Sequence, residues 1–557
     1  QAARPLIDAV DLSHREAARN LVRYVAFRQH DLRHLQARLS ALGLSSLGRG
    51  EATILESIDT VIGLLDASRS DGVPSDRPLI PETEPVLAES ADRLLGPKTA
   101  GHGGRVMVTF DTQMSEDDEL VSELVEAGMD VARINCAHDD SRAWAAMVRN
   151  VREAALEAGR PVRIAMDLAG PKLRTGPIAP GPQVVKVRPR RDALGAVVQP
   201  ARFWLGQAEP GSPVGGPPAI PVTRANWFGR RRVTDVVRFE DVRGRHREAR
   251  VERIHNAGCL VALDRTAYLV PGTVVVAEGP DGGEDELTIG ALPPVEQHLL
   301  VAEGDTLVLT RDLTPATPAS DGPHRIGCTL PEVFTSARPG ERVLFDDGKC
   351  GGVIEAASGD ELAIHITFSE PGGTKLRSEK GVNLPDSVIQ VSALTDEDLA
   401  DLPFVIENAH IVELSFVRSA QDVSRLLDVL DEFGAPASLG VVLKIETVAG
   451  FDAMPQILLT AMRRGNIGVM IARGDLAVEA GFARLAELQE ELLWLCEAAR
   501  LPVIWATEVL DTLARTGMPS RSEITDAAAG ERAECVMLNK GPYIVQTVTV
   551  LHDIITR

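Results

Sequence analysis

The chain has 557 residues, too many for a single hydrophobic core, and predicts about three units at roughly 100–200 residues each. Hydrophobic residues make up 44% and charged residues 25%, globular proportions that exclude wholesale disorder. The net charge of −22 repels phosphate backbones and anionic bilayers, so neither nucleic acid nor a membrane surface is expected as a main partner.

Residues 1–104 read as a helical extension and linker. Val25, Leu32, Leu35, Leu39 and Leu42 fall on one stripe of an amphipathic helix, and Ile54, Leu55, Ile58, Val61, Ile62 and Leu65 on a second. Gly43 and the 48–50 region break the pattern between them. Arg15, Arg19, Arg23, Arg28, Arg33 and Arg38 line the first helix and read as a solvated face above a docking stripe, which makes a homo-oligomer an expectation. Pro74, Pro78, Pro81, Pro85 and residues 96–104 then predict a linker with at most one short helix.

Eight apolar strand-like runs follow: Val106–Phe110, Val131–Asn135, Arg163–Asp167, Ile411–Phe416, Val441–Ile445, Ile467–Ala472, Pro502–Ala506 and Cys535–Leu538. Helical patterns separate most of them. Leu485, Leu488, Leu492 and Leu495 make one stripe, and Thr395 with Asp398 reads as a capping box. Eight buried runs alternating with helices predict an α/β fold, a (β/α)₈ barrel assembled from residues 105–176 and 380–557. These come to about 250 residues, the usual size of that fold.

Residues 177–379 have another texture, rich in Pro and Gly with short runs at Val184–Val187, Val233–Phe239, Leu260–Leu263, Gly272–Ala277, Thr306–Leu309, Arg342–Phe345 and Glu361–Ile366. They predict an all-β, barrel-type domain inserted after the third strand. Residues 236–244 resemble residues 341–349, one pair that is compatible with an internal duplication of a small barrel.

Six cysteines, Cys136, Cys259, Cys328, Cys350, Cys496 and Cys535, stand far apart without a CxxC pair. That spacing fits reduced thiols and a cytoplasmic location rather than a zinc site or disulfide framework. No run approaches the roughly 18–20 apolar residues of a membrane span and no secretory signal opens the sequence, which starts at Gln1 rather than Met.

Polar residues at C-terminal strand ends make the active site of a (β/α)₈ barrel. Here those ends carry Arg133 and Asn135, Asp167, Ser415 with Arg418 beyond it, Lys444 and Glu446, Arg473-Gly474-Asp475, and Thr507. Two carboxylates from neighbouring strands, Glu446 and Asp475, are what magnesium takes from protein while leaving positions for water and substrate oxygens. Lys444 and Glu446 share a strand face. Metal, Lys and Arg together suit a phosphorylated anion, and the turn at 473–475 offers N–H groups at a helix N-terminus. Singly each has a bland alternative, an ion pair or a turn; their succession at strand ends favours function. His138 and Cys136 read as support. No GxxxxGK[ST] and no GxGxxG after a strand is present, so those phosphate loops are excluded.

Nine motifs in order carry a family likeness: Met129-Asp-Val-Ala-Arg-Ile-Asn135, Asp167-Leu-Ala-Gly-Pro-Lys-Leu-Arg-Thr-Gly176, Asp346-Asp-Gly348, Lys380-Gly-Val-Asn-Leu-Pro385, Ser415-Phe-Val-Arg-Ser419, Lys444-Ile-Glu446, Ala472-Arg-Gly-Asp-Leu476, Ala506-Thr507 and Pro519-Ser-Arg-Ser-Glu-Ile-Thr-Asp526. Over about residues 105–176 and 300–557 the chain resembles the pyruvate kinase family. The resemblance implies phosphoryl transfer between phosphoenolpyruvate and ADP, giving pyruvate and ATP, with Mg²⁺ or Mn²⁺ held by Glu446 and Asp475. It implies that Lys444 neutralises the phosphoryl group in flight and that Arg133 binds the phosphate. Arg473, Gly474 and Asp475 would receive the enolate's carboxylate, and Thr507 would help protonate it. Asn135 belongs to the substrate side; Asp167, Arg174 and Ser415 support; the inserted domain would act as a lid against water.

The departures from that family carry expectations of their own. Members that need K⁺ bind it with Asn, Ser, Asp and a Thr carbonyl; here Asn135 and Asp167 remain, but Ala137 and Leu168 replace the other two. Lys172 stands where those members have Glu, and a tethered ammonium there would replace the monovalent cation. Phe110-Asp-Thr112 replaces an Ile-Gly-Pro turn and Asn539-Lys540-Gly541 replaces Ser-Gly-Glu, both on the nucleotide side. The family's C-terminal effector domain is not expected, nor control by sugar phosphates through it. Alternatives are a metal-dependent lyase of oxaloacetate decarboxylase or aldolase type on the same enolate site, another phosphoryl acceptor, and a non-catalytic assembly protein.

Overall fold

In the computed structural model, residues 3–556 are described, apart from 45–46, 49, 68–83, 100, 209–215, 280–281, 319–321 and 390. Eight parallel strands close into a barrel in chain order: β1 (Arg105–Thr109), β2 (Val131–Asn135), β3 (Arg163–Asp167), β4 (Ile411–Leu414), β5 (Gly440–Ile445), β6 (Ile467–Ala472), β7 (Val503–Ala506) and β8 (Cys535–Leu538). β8 returns to β1 with Arg105 opposite Cys535. β5 and β6 are buried along their whole length, as strands covered on both faces must be, and this is why they read as continuous apolar runs. The fourth run ends two residues early. Phe416 adopts φ +54°, a left-handed conformation that cannot continue a strand, and its N–H turns to Glu446.

The barrel floor is closed by the chain's own preceding segment. The expected linker holds a full helix, Glu84–Leu95, whose Leu94 and Leu95 join Met107, Val131, Ile411, Val442, Met470 and Ile504 in one buried cluster. Gly440 and Gly468 make room for it: a Cβ at either would stand 2.3 or 2.4 Å from Leu94. Of the linker prolines, Pro74, Pro78 and Pro81 lie outside the described residues.

The expected single stripe across residues 25–42 is two helices, Arg15–Arg28 and Arg33–Ala41. Asp31 falls at the break, where its side chain accepts the Arg33 N–H at 3.2 Å. Leu35 and Leu42 are left 43% and 66% exposed. The first helix instead buries Ala17, Ala18, Leu21 and Tyr24 and packs against the helix Phe482–Ala498. Asn20 fastens this layer: its amide donates to the carbonyls of Ala498 (2.9 Å) and Glu51 (2.7 Å), and its oxygen accepts the Ile54 N–H. The six arginines of the stripe lie in a solvated face, as expected. On the helix Ile54–Ala67, Ile54 and Val61 are buried while Leu55 and Ile62 point outward.

Among the described residues, the two largest sheets formed by residues 177–379 belong to different compact units. One, in the unit that includes the barrel, pairs Thr306–Thr310, His324–Gly327, Arg342–Phe345, Cys350–Ala357, Glu361–Phe368 and Val382–Asn383. The other unit, Pro177–Leu300 with Thr314–Gly322, has a seven-stranded sheet around Phe203, Trp227, Phe228, Val237, Val251 and Val261. A bridge between Val222 and Ile289 ties its two edges together. The two look-alike segments occupy matching places. Val236–Glu240 opens an antiparallel meander with His246–His255 and Gly258–Leu263; Arg342–Phe345 opens one with Cys350–Ala357 and Glu361–Phe368. In both meanders a bulge falls between the second and third strands. All six cysteines are buried and unbonded, and among the described residues no helix is long and apolar enough to cross a membrane.

Replacing Leu94 with Ala opens the barrel floor and is expected to cost about 2–5 kcal/mol, read from denaturant melts. Acid tests a second contact. His410 accepts the Ile164 N–H through Nδ1 at 3.0 Å, and burial, followed by Arg163 and Arg152, pushes its pKa down to about 4. The folded chain therefore prefers the neutral ring. Its contribution is full above the unfolded value of about 6.5 and is lost as pH falls toward 4. His410→Asn, which keeps an acceptor, is expected to flatten the stability slope between those pH values.

Candidate active site

The strand ends of the barrel open into a cavity of about 890 Å³. Arg133, Asn135, Asp167, Lys172, Arg174, Ser415, Arg418, Lys444, Glu446, Asp475 and Thr507 all line it, so eleven of the thirteen residues expected from the sequence meet in one place.

Its centre is a buried ion network. Asp167, at the end of β3, pairs with Arg133 from β2 and with Lys444 Nζ from β5 at 3.1 Å, and accepts the Ser415 hydroxyl at 3.0 Å. Lys444 also donates to Ser415 Oγ at 2.8 Å and pairs with Glu446 at 3.0 Å. Burial works against the ammonium, but Asp167 and Glu446 outweigh it and its pKa is raised, which favours the charged form. Burial likewise opposes the charge on Asp167, yet Lys444 and Arg133 hold its carboxyl below the ordinary value.

Glu446 Oε2 accepts the Phe416 N–H at 2.7 Å. Asp475 sits in the first turn of the helix Arg473–Ala480, and among the described residues no hydrogen bond holds its carboxylate. Burial, then the charge of Glu446, push its pKa up to about 7. Two carboxylates crowded in this way fit a divalent cation that would relieve both. No cluster of three or more His, Cys, Asp or Glu ligands exists among the described residues, so water and substrate oxygens would complete such a sphere.

Two expected residues are placed otherwise. The Arg473 guanidinium turns away from the cavity. It donates to the carbonyls of Ala506 (2.9 Å) and Thr507 (2.6 Å), clasps Asp526, and stacks on Trp505. The Gly474 N–H is taken by Thr507 Oγ1 at 2.7 Å. Together they hold Thr507 at φ +68°, a strained conformation that survives because several contacts impose it. Sequence reasoning also passed over Glu413, inside the apolar run of β4. It is fully buried and accepts Arg133 Nε–H at 3.1 Å. A carboxylate within a Val/Leu run was the available signal.

Lys172 is half-buried, and burial, then Arg174, push its pKa down to about 8, while Asp167 and Glu446 act the other way. The segments 110–112 and 539–541 come together: Asp111, Thr112, His138, Asp139 and Lys540 line a separate cavity of about 260 Å³ with Asn135. Thr112 donates to Asp139 there at 2.7 Å.

Fold and site define a (β/α)₈-barrel protein whose buried cations and carboxylates gather at the C-terminal mouth. The family model of the pyruvate kinase barrel domain matches residues 94–197 and 231–548, and the chain belongs to that family. It is 34% identical over 222 residues to a pyruvate kinase of Candida albicans, covering 39% of this chain and 42% of that one. With a Bacillus licheniformis pyruvate kinase it shares 25% over 450 residues, 80% of this chain and 55% of the other; the chain thus spans about half the length of these relatives. A solved pyruvate kinase of Cryptosporidium parvum, 19% identical, superposes with a TM-score of 0.55 over 84% of this chain and 72% of its own, a likeness of fold.

Removing the central ammonium leaves the buried Glu446 without a cation and Asp167 with Arg133 alone. Lys444→Met is expected to lower stability by about 3–5 kcal/mol in denaturant melts, more than a surface lysine would.

Proposed function

We propose that the protein transfers a phosphoryl group between phosphoenolpyruvate and ADP, forming pyruvate and ATP, with Mg²⁺ or Mn²⁺ and without K⁺. The observation that carries this reading is the convergence of Arg133, Lys444, Glu446 and Asp475 on one cavity, together with membership of the family.

Arg133 and Lys444 place two fixed charges where the phosphoryl oxygens gather negative charge as the bond to the enol oxygen breaks and the bond to the acceptor phosphate forms. A divalent cation held by Glu446 and Asp475 would supply further charge neutralisation. The released enolate takes a proton at carbon to become pyruvate. Thr507 is suited to that end of the site: its hydroxyl accepts from Gly474, which leaves its own O–H to donate into the cavity. Lys172 takes the place of a monovalent cation, an ammonium within electrostatic reach of Asp167 and Glu446.

Pyruvate formation would be followed with magnesium in matched buffers with and without potassium. The unaltered protein is expected to turn over at the same rate in both. Lys172→Met is expected to lose about 10²-fold without potassium, the scale of one removed charge, and to regain activity with it. Turnover of the unaltered protein only with potassium would sink the role of Lys172; no pyruvate in either buffer would sink the reaction.

A further inference from the structure

Glu413 faces inward from β4 beside Asp167, its register partner on β3. Charged or titratable groups surround it: Arg133 from β2, Asp167 from β3, Lys444 from β5, and the thiols of Cys535 on β8 and of Cys136 beyond β2. Its side chain is wholly buried, and its two oxygens are unequal. Oε2 accepts Arg133 Nε–H, whereas Oε1 has no hydrogen-bond partner among the described residues. An ionised carboxylate with an orphaned buried oxygen is costly, and a proton on Oε1 would replace the buried charge by a less costly neutral O–H without breaking the bond at Oε2.

A guanidinium has five N–H groups. Arg133 uses one on each nitrogen, to Glu413, Thr109 (3.0 Å) and Asp167. One N–H on each terminal nitrogen remains to donate to phosphoryl oxygens. Whether Arg133 has charge to spare for that group depends on its inner partners. With Glu413 ionised, two cations (Arg133 and Lys444) face three carboxylates (Asp167, Glu446 and Glu413); with Glu413 protonated the two sides balance.

We propose that Glu413 is a positioning residue for Arg133 and the proton store of the site: ionised, it holds the guanidinium inward, and protonated at Oε1, it frees that charge for an incoming phosphoryl anion. Binding of the anion then takes up one proton from solvent. This rests on the reading above that Arg133 receives the phosphoryl group. Burial, followed by Asp167, pushes the pKa of Glu413 up to about 7, which puts the exchange within reach of ordinary pH.

The test is calorimetric binding of inorganic phosphate, and separately of phosphoenolpyruvate, to the magnesium-saturated full chain from pH 6 to 8.5. It is run in two buffers of different ionisation enthalpy so that protons are counted. Between those limits the unaltered protein is expected to lose about tenfold more phosphate affinity than Glu413→Gln, which mimics the protonated acid. Near pH 8 it is expected to take up one more proton per phosphate than that variant. The ligand's own titration is common to both and cancels. Glu413→Ala, which orphans the Arg133 Nε–H, is expected to bind weakly at every pH, with Glu413→Gln restoring affinity. Matching profiles for the unaltered protein and Glu413→Gln overturn the proposal, as does a failure of the unaltered protein to bind phosphate. If pyruvate is never formed yet the phosphate profiles differ as stated, the reaction falls and the role of Glu413 stands.

Discussion

Asp167 stands between Arg133 and Lys444 at the mouth of the barrel, and the rest of the site is arranged around keeping those three charges together out of water. A buried ion pair is costly to desolvate and persists only where each member has further partners. Each does here. Ser415 bridges Asp167 and Lys444, Glu446 takes the other side of the ammonium, and Thr109 and Glu413 each accept one further N–H of the guanidinium. Five consecutive strands, β1 to β5, contribute to this arrangement, so it exists only when they lie side by side in register.

Around that centre the backbone is bent to fit. Phe416 and Thr507 both adopt left-handed conformations, each next to a group that the site needs. Phe416 aims its N–H at Glu446; Thr507 is gripped from below by Arg473 and by the Gly474 N–H. Arg473 thus serves the site without reaching it, by fixing the turn that carries the hydroxyl. A departure from the expected role of a strand-end residue has a physical reason here, because Asp526 and two carbonyls offer its guanidinium more than open solvent does.

The barrel was legible because parallel strands covered on both faces leave continuous apolar runs, and because polar residues at their ends stand out against them. What stayed hidden depends on pairing between distant strands. Glu413 reads as a flaw in an apolar run until Arg133 is seen opposite it. The strand His246–His255 escaped notice because its inward position Arg247 is polar, neutralised by Asp241 at 3.2 Å, so its alternation is not one of hydrophobicity. The helix Glu84–Leu95 read as linker because its weight lies in two leucines whose receptor, the small residues Gly440 and Gly468, lies hundreds of residues further on.

That last separation bears on how the chain comes to fold. Leu94 leaves the ribosome long before β5 and β6, against which it closes the barrel. At about 5–20 residues per second the delay is on the order of tens of seconds. Through that interval two leucines that end up buried have no floor to rest on, and the contact they await is of high sequence separation, the kind that forms late. The segment that seals the finished barrel is thus, during synthesis, an exposed apolar surface, and a holding chaperone acting on this chain has reason to act there first.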